Sequence, residues 1–394
     1  MSEARVQQII VIFSDDWGRH PSSCQHLAKR LLQRHRVLWV NTIGMRTPHF
    51  NALTLLRGFE KIRQWLRPKP AGTEELPVNL EVLNPKMWPW MRSRFDRALN
   101  RWLLKRQLVQ RLQALEPEAV AVTTVPIVAD LVGILPVRRW LYYCVDDFSQ
   151  WPGLDQAAMD KLERELVAQV DTCVAVSETL QDRLMSMGAT SHLLTHGVDV
   201  DFWTTRGQER SVPAIDDLPK PLIVFWGLKD RRLDVEFVRY LSAKLEHGTI
   251  VLAGPENEPD PALKKLPHVC CVPALPYEDL PQLGDRAAVL IMPYGDLPVT
   301  RAMQPLKLKE YLATGRPVVA RDLPSLHEWA DCVDLVSDPE AFAETVMRRL
   351  QTGIPPEQRA ARGRLANEDW DAKAEQFEGW LMSDVRTAAA AVAN

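Results

Sequence analysis

The sequence predicts an α/β protein built from two doubly wound parallel sheets. Short apolar, strand-like runs alternate with helix-like runs along the chain, which is typical of parallel sheets covered by helices. The alternation stops once, at the polar, proline-bearing segment 204–220, and then begins again. Since ligands of such sheets bind beyond the carboxyl ends of the strands, we expect two Rossmann-like domains facing a cleft.

The composition fits this architecture and excludes several classes of protein. The chain has 394 residues, 46% of them hydrophobic and 25% charged, with a formal net charge of −3. The length favours two domains, and the charge argues against nucleic acid as a partner. The six cysteines show no C-x-x-C spacing and several lie in apolar runs, so we expect reduced thiols in a cytoplasmic protein. Neither a signal-peptide pattern nor a membrane-spanning apolar window is found.

Seven strands are expected before the polar segment and six after it. The predicted strands are 8–14, 36–41, 80–85, 119–125, 139–145, 172–177 and 191–196, then 221–227, 248–254, 268–274, 287–294, 317–321 and 332–336. Ser22 or Ser23 can cap the first helix, and Leu27, Leu31 and Leu32 form its apolar stripe. The expected division is an N-terminal domain over 1–203, a linker over 204–220, a C-terminal domain over 221–365, and a helix and tail over 366–394 that can return to the first domain.

The stretch "MQPLKLKEYLATGRPVVARDLPS" (303–325) carries the strongest functional signal. It predicts a helix followed by a buried strand, with Lys307 and Glu310 in the first turns of the helix. A helix N-terminus attracts anions, and a lysine there adds charge for a phosphate. A glutamate there can accept hydrogen bonds from sugar hydroxyls. An amphipathic helix with a solvated charged face is the structural alternative.

Loops at other strand ends of the second half also carry candidate ligand contacts. In "FWGLKDRRLD", Gly227 permits close backbone approach. The same loop holds three basic residues that can neutralise a diphosphate, namely Lys229, Arg231 and Arg232. A solvated basic loop would look the same. Gly254 and Tyr294 follow two further strands and are weaker candidates, because a turn is enough to explain them.

The first half places carboxylates at strand ends. Asp146 and Asp147 follow a strongly apolar strand, where a carboxylate can take a proton from a bound hydroxyl or cap the next helix. The loop after the first strand is a candidate substrate loop and contains Asp15, Asp16, Gly18 and His20. Because no metal-ligand spacing appears, we expect phosphate charge to be met by lysine, arginine and helix dipoles, with no metal.

Three segments together resemble glycosyltransferases of the GT-B fold, most closely the bacterial family 4/family 1-like enzymes of cell-surface polysaccharide assembly. They are "VSETLQDRL...G...LLTHGVDVDFW", "FWGLKDRRLD" and "MPYGDLPVTRAMQPLKLKEYLATGRPVVA". The resemblance implies a nucleotide-diphosphate sugar as donor substrate, no cofactor, and a glycan or lipid-linked acceptor held by the first domain. It implies that Glu310 contacts the ribose, that Lys307 suits the diphosphate, and that the loop with Gln304 and Pro305 lies near the donor sugar.

The resemblance also places Asp146 on the acceptor side, where it matches the first aspartate of a YD-x-x-D pattern. One position departs from the family, because Ala302 stands where many family 4 enzymes carry the first glutamate of an E-x7-E pair. The departure leaves retaining or inverting chemistry open. It also keeps open a non-catalytic nucleotide-sugar-binding or scaffold protein, and a nucleotide-sugar epimerase of the same fold is a further alternative.

Basic and aromatic residues are interleaved over 86–111, where eight lysines and arginines accompany a single acid, Asp96. The segment 55–69 repeats this composition. Such segments can lie on an anionic membrane surface, with aromatic rings at the level of the headgroups. We therefore expect a peripheral membrane contact, against the alternative of a packed helix with a basic outer face.

Overall fold

The computed structural model describes residues 8–18, 22–42, 76–115, 118–151, 153–204 and 212–383. Its N-terminal sheet has seven parallel strands in the order β3-β2-β1-β4-β5-β6-β7. These strands are β1 (Ile9–Ser14), β2 (Arg36–Asn41), β3 (Leu80–Leu83), β4 (Ala119–Thr123), β5 (Val137–Cys144), β6 (Thr172–Ala175) and β7 (Ser191–Leu193). The order reverses at β1 and β4, and the central strands are buried on both faces.

The C-terminal sheet has six parallel strands in the order β12-β10-β8-β13-β14-β15. They are β8 (Leu222–Trp226), β10 (Thr249–Ala253), β12 (Val269–Val272), β13 (Ala287–Met292), β14 (Val318–Arg321) and β15 (Asp334–Val336). A separate parallel pair joins β9 (Lys229–Asp230) to β11 (Glu256–Asn257). The predicted fold class and the thirteen predicted strands are confirmed, whereas the short β9–β11 pair was not predicted.

Helices cover both sheets. They are α1 (Ser23–Leu31), α2 (Arg94–Gln113), α3 (Gln156–Val167), α4 (Glu178–Ser186), α5 (Val200–Thr204), α6 (Pro213–Asp216), α7 (Val235–Lys244), α8 (Leu280–Arg286), α9 (Pro298–Ala302), α10 (Leu306–Ala313), α11 (Pro339–Thr352), α12 (Pro356–Ala361) and α13 (Trp370–Met382). Short 3₁₀ segments lie at Pro126–Leu131, Pro261–Lys265, Tyr277–Asp279, Pro324–Cys332 and Arg362–Asn367. Ser22, one of the two serines predicted to cap α1, accepts a hydrogen bond from the Gln25 N–H at 3.3 Å and so caps this helix.

The C-terminal helix α13 lies on the N-terminal domain rather than on the domain that precedes it in sequence. Trp370 and Phe377 of this helix are buried in the core formed by the first sheet. The Trp370 ring stacks on His26 of α1, with centroids 4.7 Å apart. The chain thus crosses between the domains twice, before β8 and again before α13.

Lys309, a buried lysine of α10, holds the two domains together. The Lys309 Nζ donates to the His196 carbonyl at 2.5 Å, to the Thr195 hydroxyl at 3.2 Å and to Glu368 at 2.5 Å. Its three donors are therefore all used, and only 2% of the residue is exposed. Because α10 also carries Lys307 and Glu310, this junction sets where the candidate site faces.

The structure shows the state of the cysteines and the apolarity of the helices. All six cysteines are free thiols, and Cys24, Cys144, Cys173 and Cys332 are buried. Across the part of the chain that the structure describes, no helix combines the length and apolarity that crossing a bilayer would need.

Candidate functional site

The strand-end loops of both sheets meet around α10, where two glycines allow them to pack tightly. Gly227 has φ +142°, and a Cβ there would lie 2.3 Å from the Lys307 Nζ. Gly254 has φ +140°, and a Cβ there would lie 2.0 Å from the Gly227 carbonyl oxygen. A Cβ at Gly254 would collide with backbone and force the loops apart, whereas at Gly227 it would collide only with the end of the Lys307 side chain, so there it is the positive φ that favours glycine.

Lys307 lies at the amino end of α10 among aromatic rings. Its Nζ contacts the Tyr294 hydroxyl and lies 5.0 Å and 5.1 Å from the ring centroids of Phe225 and Tyr294. Pro305 occupies the N-cap position of α10 without a side-chain cap. The ammonium and the uncapped helix terminus thus stand together, as an anion site requires.

Glu310 lies one turn further along α10 and is 6% exposed. Its carboxylate accepts from the Trp226 Nε1 at 3.3 Å and from the Tyr277 hydroxyl at 3.4 Å. Burial raises the pKa of Glu310 to about 7, against the opposing effects of these donors and of Lys307. Near neutral pH the group can therefore both accept and donate hydrogen bonds, which suits a pair of sugar hydroxyls.

The basic residues of the loop after β8 have different surroundings, because the loop contains the short strand β9 and successive side chains of a strand point in opposite directions. Lys229 is 1% exposed, and its Nζ donates to the carbonyls of Leu252 and Val272 at 3.2 and 2.8 Å. Its third donor faces Glu256 at 3.3 Å. The expectation that Lys229 contacts a diphosphate is therefore corrected, because its ammonium is enclosed by protein acceptors.

The two arginines of this loop also separate. Arg231 is exposed and pairs with Glu258 at 3.0 Å, away from the buried groups. Arg232 is 8% exposed, pairs with Asp230 at 3.0 Å and lies 4.6 Å over the ring centroid of Trp151. Of the three basic residues predicted to contact a diphosphate, only Arg232 is not enclosed or turned away, and it faces the first domain.

Asp146 lies two residues beyond β5 and is half-buried. Burial raises the pKa of Asp146 to about 7, Arg232 lowers it, and Asp15, Asp147 and Asp230 raise it further. Asp147 differs, since its Oδ1 accepts from the Ser149 N–H at 3.0 Å and from the Ser149 hydroxyl at 2.5 Å. Asp147 closes a turn and is only 7% exposed, which leaves Asp146 as the carboxylate available to a ligand.

The loop after β1 lies beside Asp146. The Asp15 carboxylate is near enough for its charge to raise the pKa of Asp146, and the Asp15 carbonyl accepts from the Trp39 Nε1 at 2.9 Å. Gly18 has φ +75° and donates its N–H to Gln25 at 3.3 Å, while Asp16 is partly buried. His20 of the same predicted loop lies outside the described residues.

Gln304 was expected near the donor sugar, but its side chain belongs to the domain junction. Its Oε1 accepts from the His196 N–H at 2.6 Å, and its carbonyl lies 3.0 Å from the His196 Nε2. Tyr277, Trp226 and Trp151 were missed by the sequence reasoning. Trp151 follows Asp146 by five residues in the sequence, whereas no sequence pattern marks Tyr277 as a neighbour of Glu310.

Within the described ranges, no group of three His, Cys, Asp or Glu side chains is arranged to hold a metal ion.

The two Rossmann-like domains face each other, and one wall carries a lysine-bearing helix terminus and a buried glutamate. This two-domain architecture is that of GT-B glycosyltransferases. Residues 224–352 match the family described as "Glycosyl transferases group 1". The "Putative teichuronic acid biosynthesis glycosyltransferase TuaH" of Bacillus subtilis (strain 168) is 25% identical over 171 residues. That alignment covers 41% of this chain and 43% of the relative, so less than half of each protein is matched.

Solved structures match over almost the whole chain. Sucrose-phosphate synthase from Thermosynechococcus elongatus has a TM-score of 0.66 at 17% identity, covering 98% of this chain and 100% of that one. Anabaena HepE in complex with UDP-glucose has a TM-score of 0.63 at 13% identity, covering 95% and 99%. At these identities the likeness shows the fold. The GT-B fold is therefore confirmed, and the family match over residues 224–352 agrees with the predicted resemblance to glycosyltransferases.

Proposed function

We propose that this protein transfers a sugar from a nucleotide-diphosphate sugar to a glycan or lipid-linked acceptor in cell-surface polysaccharide synthesis. The observation that carries the proposal is the pairing, on one short helix, of Lys307 beside Tyr294 with the buried carboxylate of Glu310. One group suits a diphosphate and the other a ribose. The name of the TuaH relative and the UDP and UDP-glucose complexes of Anabaena HepE support this class of donor and product.

In this proposal the donor lies against the C-terminal domain. Lys307 and the amino end of α10 bind the diphosphate, and Glu310 accepts hydrogen bonds from the ribose. Gly227 and Gly254 keep the loops close enough for backbone contacts to the ligand. A UDP-sugar is the first donor to test.

On the acceptor side, Asp146 acts as the general base or as a close electrostatic partner of the attacking hydroxyl. It lies two residues beyond β5 in the first domain, and the charge of Arg232 in the second domain lowers its pKa. A pKa of about 7 suits a base that must accept a proton near neutral pH. The proton passes from the acceptor hydroxyl to the Asp146 carboxylate while the nucleoside diphosphate leaves with the bonding electron pair.

The transfer is proposed to need no metal, because Lys307 and the helix terminus supply positive charge where the diphosphate would lie. Activity of the purified protein should then persist in excess EDTA. Loss of activity in EDTA that Mg²⁺ or Mn²⁺ restores would overturn this part of the proposal.

The decisive experiment measures release of nucleoside diphosphate from UDP-sugars with and without added glycan or polyprenyl-linked acceptors. A transferase releases UDP only when an acceptor is present, an epimerase converts the sugar without release, and a non-catalytic binder does neither. Asp146→Asn should lower turnover by about 10²–10⁴ while nucleotide affinity is unchanged. The matched control is Asp285→Asn, an exposed position in the second domain whose loss should leave turnover intact.

We further propose a cytoplasmic protein with a peripheral membrane contact through the outer face of α2. Phe95 and Trp102 are 70% and 55% exposed and lie two helical turns apart among basic residues. Arg97 is excluded from this face, because it pairs with Asp130 at 2.7 Å and also contacts Glu165. The other predicted segment, 55–69, lies outside the described residues.

Vesicle sedimentation tests this contact. Replacing Arg94, Arg101, Lys105 and Arg106 by glutamine should reduce binding to anionic vesicles, and salt should reduce wild-type binding by screening. A wild-type protein that ignores phosphatidylglycerol vesicles at low salt would refute the membrane contact.

A further inference from the structure

The loop of residues 302–305, which leads into α10, is hydrogen-bonded to the first domain at two points. The Ser177 hydroxyl donates to the Ala302 carbonyl at 2.7 Å. The Gln304 Oε1 accepts from the His196 N–H at 2.6 Å, and the His196 Nε2 lies 3.0 Å from the Gln304 carbonyl. Ser177 follows β6 by two residues and His196 follows β7 by three, so both contacts come from the carboxyl edge of the N-terminal sheet.

His196 makes most of these contacts, because its N–H, its ring and its carbonyl each bind this loop or α10. The carbonyl accepts from the Lys309 Nζ at 2.5 Å. The Gln304 carbonyl can only accept, so the His196 Nε2 must carry a proton and donate it. His196 and Gln304 are 6% and 9% exposed. Because a buried polar group that loses its partner is costly, the loop has one favoured position against the first domain.

The imidazole of His196 is held in its neutral form. Its Nδ1 is buried without a hydrogen-bond partner among the described residues, so a proton there would have no acceptor. Burial and the nearby charge of Lys309 lower the pKa of His196 to about 3. The ring therefore donates to Gln304 throughout the neutral range, and the contact needs no change of protonation.

The position of this loop determines where α10 begins. Gln304 is followed by Pro305 at the N-cap, with φ −75°, and the helix starts at Leu306. Proline restricts φ to a narrow range, so the path from Gln304 into the helix has little freedom. Lys307 is the second residue of α10. A shift of the loop is therefore passed on to the Lys307 ammonium and to the unbonded N–H groups of the first turn.

We propose that His196 is a positioning residue, through which the first domain sets where the Lys307 ammonium and the amino end of α10 meet the donor diphosphate. The inference rests on the proposed donor role of Lys307 and adds the contact that places it. His196 acts through the loop and does not touch the nucleotide. The domain proposed to hold the acceptor thus also fixes the phosphate site of the other domain.

Binding of UDP and UMP, measured by isothermal titration calorimetry, tests this role without requiring turnover. His196→Leu keeps an apolar side chain in the junction and removes the ring donor. It should weaken UDP binding about tenfold and UMP binding about twofold or less, because the Lys307 ammonium is displaced from the second phosphate. His196→Gln, whose amide can donate to the Gln304 carbonyl, should recover most of the affinity for UDP.

A double-mutant cycle with Lys307→Ala separates positioning from a general loss of stability. If His196 acts by placing Lys307, the effect of His196→Leu on UDP affinity should fall to about twofold once Lys307 is alanine. Gln304→Leu removes the acceptor for the His196 N–H and should show the same dependence on Lys307. This second variant keeps the test decisive if His196→Leu does not fold.

The control is His192→Leu, which changes another histidine of the first domain. His192 stacks on Trp380 of α13, with ring centroids 4.6 Å apart. Its loss should lower the thermal midpoint while leaving the ratio of UDP to UMP affinity unchanged. Thermal unfolding also checks that each of the other variants is folded.

Two outcomes contradict different parts of this reasoning. The positioning role alone is refuted if folded His196→Leu binds UDP as the wild type does, loses UDP and UMP affinity equally, or shows a loss that simply adds to that of Lys307→Ala. An unchanged UDP affinity in Lys307→Ala refutes the donor site itself, and the positioning role with it.

Discussion

Replacing Glu310 by glutamine should weaken binding of UDP-glucose by about 1–1.5 kcal/mol at pH 8, or about five- to twelve-fold. A hydrogen bond to a charged acceptor contributes about 1.5–3 kcal/mol and one to a neutral acceptor about 0.5–1.5 kcal/mol. Glutamine keeps the shape and an acceptor oxygen for the Trp226 Nε1, 3.3 Å away. The change therefore removes charge from the ribose contact with little repacking.

The wild-type protein should show the same effect as a function of pH. Because burial raises the pKa of Glu310 to about 7, the carboxylate is mostly charged at pH 8 and mostly protonated at pH 6. Affinity for UDP-glucose, whose diphosphate charge is constant over this range, should rise with pH through about 7. The Glu310→Gln variant should lack this dependence, and its affinity should match that of the wild type at low pH.

Isothermal titration calorimetry with modified nucleotides assigns the contact. In a double-mutant cycle, Glu310→Gln is combined with 2′-deoxy and with 3′-deoxy UDP-glucose, and coupling of about 1 kcal/mol is expected for at least one hydroxyl. The control is Glu236→Gln, an exposed glutamate of the same domain that pairs with Arg239. Zero coupling with both analogues, or an unchanged affinity in Glu310→Gln, would refute the ribose contact.

Three further changes test other parts of the structure. Lys307→Ala should weaken UDP binding by about 1.5–3 kcal/mol and should weaken UMP binding less. The control is Arg231→Ala, which removes an exposed arginine. Equal losses for both nucleotides would contradict the diphosphate role. Lys309→Met should destabilise the fold by about 1–3 kcal/mol, because the His196 carbonyl loses its charged donor and Glu368 keeps Lys373 but loses Lys309 as a partner. A thermal midpoint equal to wild type would count against this. Burial lowers the pKa of His26 to about 4, so its neutral form stabilises the protein above its ordinary pKa near 6.5 and that stability is lost as pH falls toward 4. His26→Phe should reduce this acid loss in urea denaturation, and an unaltered pH dependence would show that His26 is not its source.

Much of the fold followed from the sequence because parallel strands buried on both faces read as unbroken apolar runs. The strands β1, β8 and β13 are of this kind, and each was placed to within two residues. Lys307 and Glu310 were also found from sequence, because they lie one turn apart on a single helix. Local spacing determined their proximity, and no other part of the chain was needed to infer it.

The surroundings of those residues were decided by tertiary structure. Glu310 accepts from Tyr277 and Trp226, which lie 33 and 84 residues away in the chain. Lys229 and Arg232 read alike in the sequence, yet the first is enclosed by carbonyls of the second sheet and the second lies on Trp151 of the first domain. A basic residue type establishes that a charge is present. Which acceptor pairs with that charge depends on how the two domains pack against each other. Lys309 fixes this packing at the domain junction, through contacts with residues that are distant in sequence and that no local pattern encodes.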